Sequence, residues 1–146
     1  MKSCYVFDID GTIADLSHRL HHIQGESKNW DAFFAGCEGD APIPHIIELA
    51  QDLARGGGAI IYVSGRSDQC RKETSAWLGV NNLPIGRLYM RKAGDHRPDN
   101  IVKGELLDKL MNDGWQPRMA FDDRNQVVQM WRAKGVPCAQ VAEGDF

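Results

Sequence analysis

No apolar run in this sequence is long enough to span a membrane, and Asp8 and Asp10 break the one N-terminal stretch before it reaches the length of a secretion signal. The chain is therefore expected to be soluble and cytoplasmic, with no membrane partner. Cysteine is scarce: Cys4, Cys37, Cys70 and Cys138 stand 33 or more positions apart, form no C-x-x-C pair and have no neighbouring histidine to complete a zinc set. They read as reduced core thiols. Positive charge is short as well. With 17 Lys and Arg against 20 Asp and Glu, a net charge of -3, the chain lacks the surplus of cations that wraps long duplex. Contact confined to a nucleic-acid end stays compatible with that balance.

What is present suits one domain over residues 1–146, with one site to find. Short β-branched or apolar runs bounded by Gly, Asp or Pro recur at residues 4–7, 59–63, 87–90, 118–121 and 138–141. Between them lie stretches of helical period. One, over 44–54, begins at Pro44 and ends at Gly56-Gly57-Gly58. A second is expected from a Ser67 N-cap to Gly79, a third from Pro98 to Gly114, and a fourth from about Arg124 to Lys134. Alternating strands and helices predict an α/β fold, a parallel sheet covered on both faces. Residues 16–41, rich in His, Gly and Trp, are too long for a tight connection and read as a small helical cap inserted after the first strand.

Every chemically interesting group falls where a strand ends. Asp8 and Asp10 follow the first strand, Ser64, Gly65 and Arg66 the second, Arg91 the third, and Asp122 and Asp123 the fourth. In open α/β sheets ligands bind beyond the carboxyl ends of strands, near the point where strand order reverses. If the first strand is central between the second and fourth, these groups converge. Asp8 and Asp10 with Asp122 and Asp123 would repel without a cation, and Mg²⁺ accepts a few carboxylates while keeping room for phosphate oxygens.

Each part also has a plainer account. Asp8-Ile9-Asp10-Gly11-Thr12 alone is compatible with a turn, Asp122-Asp123 with a helix cap, and Ser64-Gly65-Arg66 with a strand-to-helix corner. Asp99 and Lys103, four apart, fit a solvated surface pair. Their combination favours a site. Asp8, Asp122 and Asp123 carry -3, Mg²⁺ brings +2, and Lys103, steadied by Asp99, completes neutrality. The expected chemistry is attack by Asp8 on phosphorus, with Asp10 protonating the leaving alcohol and then activating water.

These residues resemble the four motifs of the haloacid dehalogenase (HAD) superfamily of phosphatases, in order at Asp8-Ile9-Asp10-Gly11-Thr12, Ser64, Lys103 and Asp122-Asp123. The chain is more closely similar to the 3'-phosphatase domain of bacteriophage polynucleotide kinase, through Val63-Ser64-Gly65-Arg66, the segment 91–103, and Phe121-Asp122-Asp123-Arg124 onward to Gly144-Asp145-Phe146. The resemblance implies a Rossmann-like sheet of order 3-2-1-4-5, Asp8 as nucleophile, Asp10 as acid/base, and Ser64 and Lys103 as catalytic companions. It implies Mg²⁺ near Asp8, Asp10, Asp122 and Asp123, substrate contacts from Thr12, Arg19, Gly65, Arg66, Arg91 and Arg124, and a supporting Asp99. It also implies a phosphorylated nucleic-acid end as substrate. The kinase half has no counterpart: the sequence contains no G-x-x-x-x-G-K-[ST] and no Gly-Lys pair, so 5'-kinase activity is not expected.

Substrate is read less sharply. Arg87, Arg91, Lys92, His96 and Arg97 form either a phosphate-binding rim or a solvated loop. Trp30 and Phe33 either stack a base or pack the cap, His18, His21 and His22 read as cap surface, and Trp131 reads as core. Polynucleotide 3'-ends and free nucleotides or other small phosphomonoesters both remain open as substrates. A receiver-like signalling module, which also phosphorylates an Asp, fits worse, because Lys103 precedes the fourth strand and Asp10 adds an acid that a long-lived phosphoaspartate does not need.

Overall fold

The computed structural model describes residues 1–146. The chain opens with β1 (Lys2–Phe7), whose Cys4 and Val6 face one side of the sheet and Tyr5 and Phe7 the other, as a two-residue period requires. A short β2 (Ala14–Asp15) leads into a 3₁₀ turn (Ser17–His22), α1 (Trp30–Ala35) and a second 3₁₀ turn (Gly36–Gly39). The next strand, β3 (Ala41–Pro42), returns antiparallel on β2, so residues 16–40 leave and re-enter the body at one point. The remainder alternates: α2 (Pro44–Arg55), β4 (Ala59–Ser67), a 3₁₀ turn (Asp68–Cys70), α3 (Arg71–Val80), β5 (Arg87–Arg91), α4 (Asp99–Asn112), β6 (Trp115–Asp122), α5 (Asn125–Ala133) and β7 (Cys138–Gln140).

The central sheet has the order β5-β4-β1-β6-β7 with every pair parallel, the predicted 3-2-1-4-5 arrangement. On one face Val6, Ile61, Val63 and Ala120 pack against Leu107 and Leu110 of α4 and Val127, Val128 and Trp131 of α5. On the other, Phe7, Ile60, Tyr62 and Phe121 pack against Ile46, Ile47 and Ala50 of α2 and Trp77 and Leu78 of α3. Phe7 and Phe121 stack at 4.5 Å between ring centres, tying the two strands together next to the site. All four cysteines are buried and free, as expected. No helix is long and apolar enough to cross a membrane.

Boundaries differ from the expected ones in readable ways. Ser67 does cap, accepting from the Gln69 N–H at 3.3 Å, but it caps the 3₁₀ turn, and α3 starts only at Arg71. That helix also runs through Gly79 to Val80, and the reversal falls to Asn82 at φ +60°. β6 begins at Trp115 because β1 offers it a partner from Lys2 onward. Pro117, which has no N–H for the ladder, stands where the register shifts beside Cys4.

Candidate active site

β1 ends between its two neighbours, and its last ladder bond is the Asp8 N–H to the Phe121 carbonyl. The chain then closes a tight turn in which the Ile9 carbonyl accepts from the N–H groups of Thr12, Ile13 and Ala14. Ile9 is wholly buried, which sends Asp8 and Asp10 to the opposite side. Gly11 takes φ +83°, and a Cβ there would overlap the Asp123 carboxylate, so only glycine lets the turn close on β6.

The turn presents Asp8 to a buried ionic group. Its Oδ2 accepts from the Thr12 hydroxyl at 2.9 Å and its Oδ1 from Lys103 Nζ at 2.7 Å. The same ammonium donates to Asp122 Oδ2 at 2.9 Å, and Asp122 also accepts from Trp131 Nε1 at 3.2 Å and from the Asp123 N–H at 2.9 Å. Lys103 reaches the site from the first turns of α4, 3.9 Å from Asp99 Oδ2, and its side chain is only 2% exposed. The solvated Asp99–Lys103 pair is thereby excluded.

Ligand atoms of Asp8, Asp122 and Asp123 lie within 4.8 Å of one another, and all three residues are buried. Three carboxylates against one ammonium leave -2 in a desolvated pocket. Burial, reinforced by the charge of Asp122 and opposed by Lys103, holds Asp8 well above the usual carboxylate range. Burial likewise pushes Asp123 up to about 6, although a bond with Asp8 works against it. A buried all-oxygen triad of excess negative charge suits a hard divalent cation.

Asp10 has a different environment. Its Oδ1 accepts from Arg66 Nε at 3.0 Å, another Arg66 nitrogen at 2.7 Å and Arg19 at 3.0 Å. Burial would raise it, but the charge and hydrogen bonds of Arg66 and the charge of Arg19 outweigh that and lower it. Its side chain thus belongs to the arginine pair rather than to the acidic triad. Both arginines also grip Asp40, which composition and motif reading passed over. Asp40 sits in a Gly-Asp-Ala-Pro stretch that looks like an ordinary loop, and no local pattern distinguishes it.

The remaining residues form a rim. Gly65 approaches Asp99 so closely that a Cβ would overlap its carboxylate, and the Gly65 carbonyl accepts from Arg91 Nε at 2.7 Å. Arg91 further binds the carbonyls of Asp95 and Arg97 and reaches Asp99 at 3.2 Å. Arg124 donates to the Phe146 carbonyl at 2.7 Å and stands 4.0 Å from Asp99. The Ser64 hydroxyl is buried and accepts from the Arg66 N–H at 3.1 Å, within its own turn rather than from the Lys103 group.

Of the cap aromatics, Phe33 is buried under the Arg19 guanidinium at 4.3 Å, whereas Trp30 is 43% exposed and stacks on Phe34. His18 is half-exposed yet bonds Asp40 at 2.7 Å. Trp131 is core, as expected, and also supplies the donor to Asp122. In the basic cluster, Arg97 is paired with Asp95 and Glu105.

Comparison with known proteins agrees with this fold. The family model of the polynucleotide kinase PNKP phosphatase domain, of the HAD type, matches residues 2–146. A putative bifunctional polynucleotide kinase/RNA ligase of Autographa californica nuclear polyhedrosis virus is 29% identical over 132 residues, covering 89% of this chain and 18% of the relative. A solved Pnkp1/Rnl/Hen1 RNA repair complex contains a chain that is 29% identical with a TM-score of 0.87, covering all of this chain and 44% of that one. The class C acid phosphatase of Bacillus anthracis shares the fold, with a TM-score of 0.67 over 97% of this chain and 68% of the other at 17% identity. The chain thus spans under half the length of its viral and RNA-repair relatives. It belongs to the family of polynucleotide kinase phosphatase domains, phosphoric monoester hydrolases on a HAD fold.

Proposed function

We propose that this chain removes a terminal phosphate, preferentially the 3'-phosphate of a polynucleotide end, through a phosphoaspartate on Asp8. The observation that carries this reading is the buried Asp8 carboxylate held between Thr12 and Lys103 with Asp122 and Asp123 at metal-binding distance. Asp8, Asp122 and Asp123 would hold Mg²⁺, which supplies charge neutralisation for the nucleophile and the phosphoryl oxygens. Lys103 orients Asp8 and opposes its protonation by donating to one of its oxygens. One Asp8 oxygen attacks phosphorus, the P–O bond to the alcohol breaks, and Asp10, which must carry a proton on its free Oδ2 for this step although Arg66 and Arg19 favour its ionised form, gives that proton to the departing oxygen. Asp10 then takes a proton from water, whose oxygen attacks the acyl phosphate and restores Asp8.

Asp10 is 27% exposed where its partners are buried, so its carboxyl is the member of the arginine cluster that a leaving group can reach. In this reading Ser64, Thr12 and the Gly65 turn frame the phosphoryl group, a role supported by the Thr12 bond to Asp8, while Arg91 and Arg124 steady Asp99 and the rim. The likeness to a chain of an RNA repair complex supports a nucleic-acid end as substrate. The test compares Mg²⁺-dependent turnover of a 3'-phosphorylated oligonucleotide with that of 3'- and 5'-mononucleotides, using wild type and Asp8→Asn. The oligonucleotide is expected to be preferred and Asp8→Asn to be inactive while folded. A preference for mononucleotides would replace the polynucleotide reading by that of a small-phosphomonoester phosphatase, and a fully active Asp8→Asn would end both.

A further inference from the structure

The inference concerns Asp40, the one carboxylate of this centre whose side chain is fully buried, at 0% exposure. Its Oδ1 accepts from Arg19 Nε at 2.7 Å and lies 2.7 Å from His18 Nε2. Its Oδ2 accepts from Arg19 at 2.8 Å and from Arg66 at 2.7 Å, and its backbone carbonyl accepts from Trp77 Nε1 at 2.8 Å. These partners come from three places in the chain: the 3₁₀ turn of the insertion, β4 and α3. A buried carboxylate carries a heavy desolvation cost unless ionic partners satisfy it, and here they satisfy both oxygens.

The two arginines then spend their other N–H groups on Asp10, all on Oδ1. Asp40 and Asp10 therefore hold two guanidiniums between them. Thr74 Oγ1, at 3.1 Å, and the Phe33 carbonyl, also at 3.1 Å, occupy one further nitrogen on Arg66 and on Arg19. Without Asp40, two buried cations would converge on a single carboxylate and repel one another, and beyond Asp10 each plane would be held by one neutral contact, Thr74 on Arg66 and the Phe33 carbonyl on Arg19. With it, Asp10 Oδ1 is pinned from behind and Oδ2 stays uncommitted.

We propose that Asp40 is a positioning residue: through Arg19 and Arg66 it sets the orientation of Asp10, and so aims the oxygen that exchanges a proton with the leaving group. It does not touch the substrate. The proposal rests on the reading of Asp10 as acid/base given above. It makes the insertion part of the catalytic geometry, because His18, Arg19 and Asp40 all belong to it or to its return point.

The test is Asp40→Asn, with Asp40→Glu as a second variant that keeps the charge should Asn impair folding. Each is measured with p-nitrophenyl phosphate, whose leaving group departs as a stable anion, and with a 3'-phosphorylated oligonucleotide, whose alkoxide needs the proton. In a single turnover, which reads alcohol release before water attacks, a loss of at least 30-fold is expected on the oligonucleotide and under threefold on p-nitrophenyl phosphate, with KM for each within threefold of wild type. General acid catalysis of about 10²–10⁴-fold sets that scale. Equal losses on both substrates, or a change in KM alone, would overturn the proposal.

A second measurement does not use activity. Arg66 Nε bonds Asp10 and not Asp40, so its N–H proton, followed by NMR, should exchange at least tenfold faster in either variant. Unchanged exchange would overturn the positioning role whatever the enzyme hydrolyses. A wild type that hydrolyses neither ester with Mg²⁺, yet shows the faster exchange in the variants, would instead sink the phosphatase reading and leave the Asp40 coupling standing.

Discussion

Replacing Lys103 by methionine keeps the length of the side chain and removes one charge, so it isolates what the ammonium does. Nζ lies 2.7 Å from Asp8 and 2.9 Å from Asp122, and the side chain is 2% exposed. Removing one member of a buried ion pair typically costs about 3–5 kcal/mol, because the charges left behind stay desolvated. For a chain of this size each kcal/mol moves the midpoint by about 2–4 °C, which predicts a loss of about 6–20 °C in EDTA at pH 7.5. Two features of the loss follow from its electrostatic origin. Saturating Mg²⁺ should recover much of it, since +2 against three carboxylates leaves -1 where EDTA leaves -3. Lowering the pH to 5 should shrink it as well, because Asp8 and Asp123 already titrate high and take up protons more readily once Lys103 is gone. Melting curves followed by near-ultraviolet circular dichroism, with and without Mg²⁺ at both pH values, read all of this in one series. In the Mg²⁺-loaded variant kcat should fall by about 10²–10³, the usual effect of removing one preorganised charge-stabilising group. A midpoint within 2 °C of wild type in EDTA, or a loss indifferent to both Mg²⁺ and pH, would refute the assignment of Lys103 as the counter-ion of the triad.

Gly11→Ala forces an L-residue to φ +83° and its Cβ against the Asp123 carboxylate; we expect about 1–3 kcal/mol of destabilisation and at least about tenfold weaker Mg²⁺ binding, by tryptophan-fluorescence titration. In the metal-free protein Asp123 sits at about 6 against an ordinary 3.8, so the folded state binds its proton more tightly than the unfolded one. Stability should therefore rise as pH falls from 7 through 6 towards 4, and Mg²⁺, which favours the ionised triad, should flatten or reverse that trend in calorimetry. Trp30→Ala should raise KM for a 3'-phosphorylated oligonucleotide by about 5–150-fold, the range of one base-stacking contact, and leave p-nitrophenyl phosphate unaffected. An equal effect on both esters would assign Trp30 to packing of residues 16–40.

Much of the site was legible because its residues lie at strand ends, and strand ends are marked by local chemistry. Asp8 and Asp10 before Gly11, Ser64 before Gly65, and Asp122-Asp123 before α5 all carry that signature. Lys103 was harder, since a lysine four residues after an aspartate reads first as surface, and only the charge count and the family resemblance argued otherwise. The arginines were named as substrate contacts, but identity does not reveal what a guanidinium touches: Arg19 and Arg66 are buried against carboxylates. Ser67 likewise caps a short turn where a longer helix was expected, because β4 continues through the bulge that carries Arg66.

The sequence by itself determined the alternation of strands and helices and the acidic groups that call for a cation, since these depend on period, turn chemistry and charge along a short stretch of chain, whereas the sheet order was only what the resemblance implied. Tertiary structure alone decided the partners. It put Lys103 between Asp8 and Asp122, 95 and 19 residues away in sequence, and it closed Asp40 over two arginines to aim Asp10. Buried charge is satisfied by whatever opposite charge the fold brings within hydrogen-bond reach, and residues so far apart leave no local pattern to read.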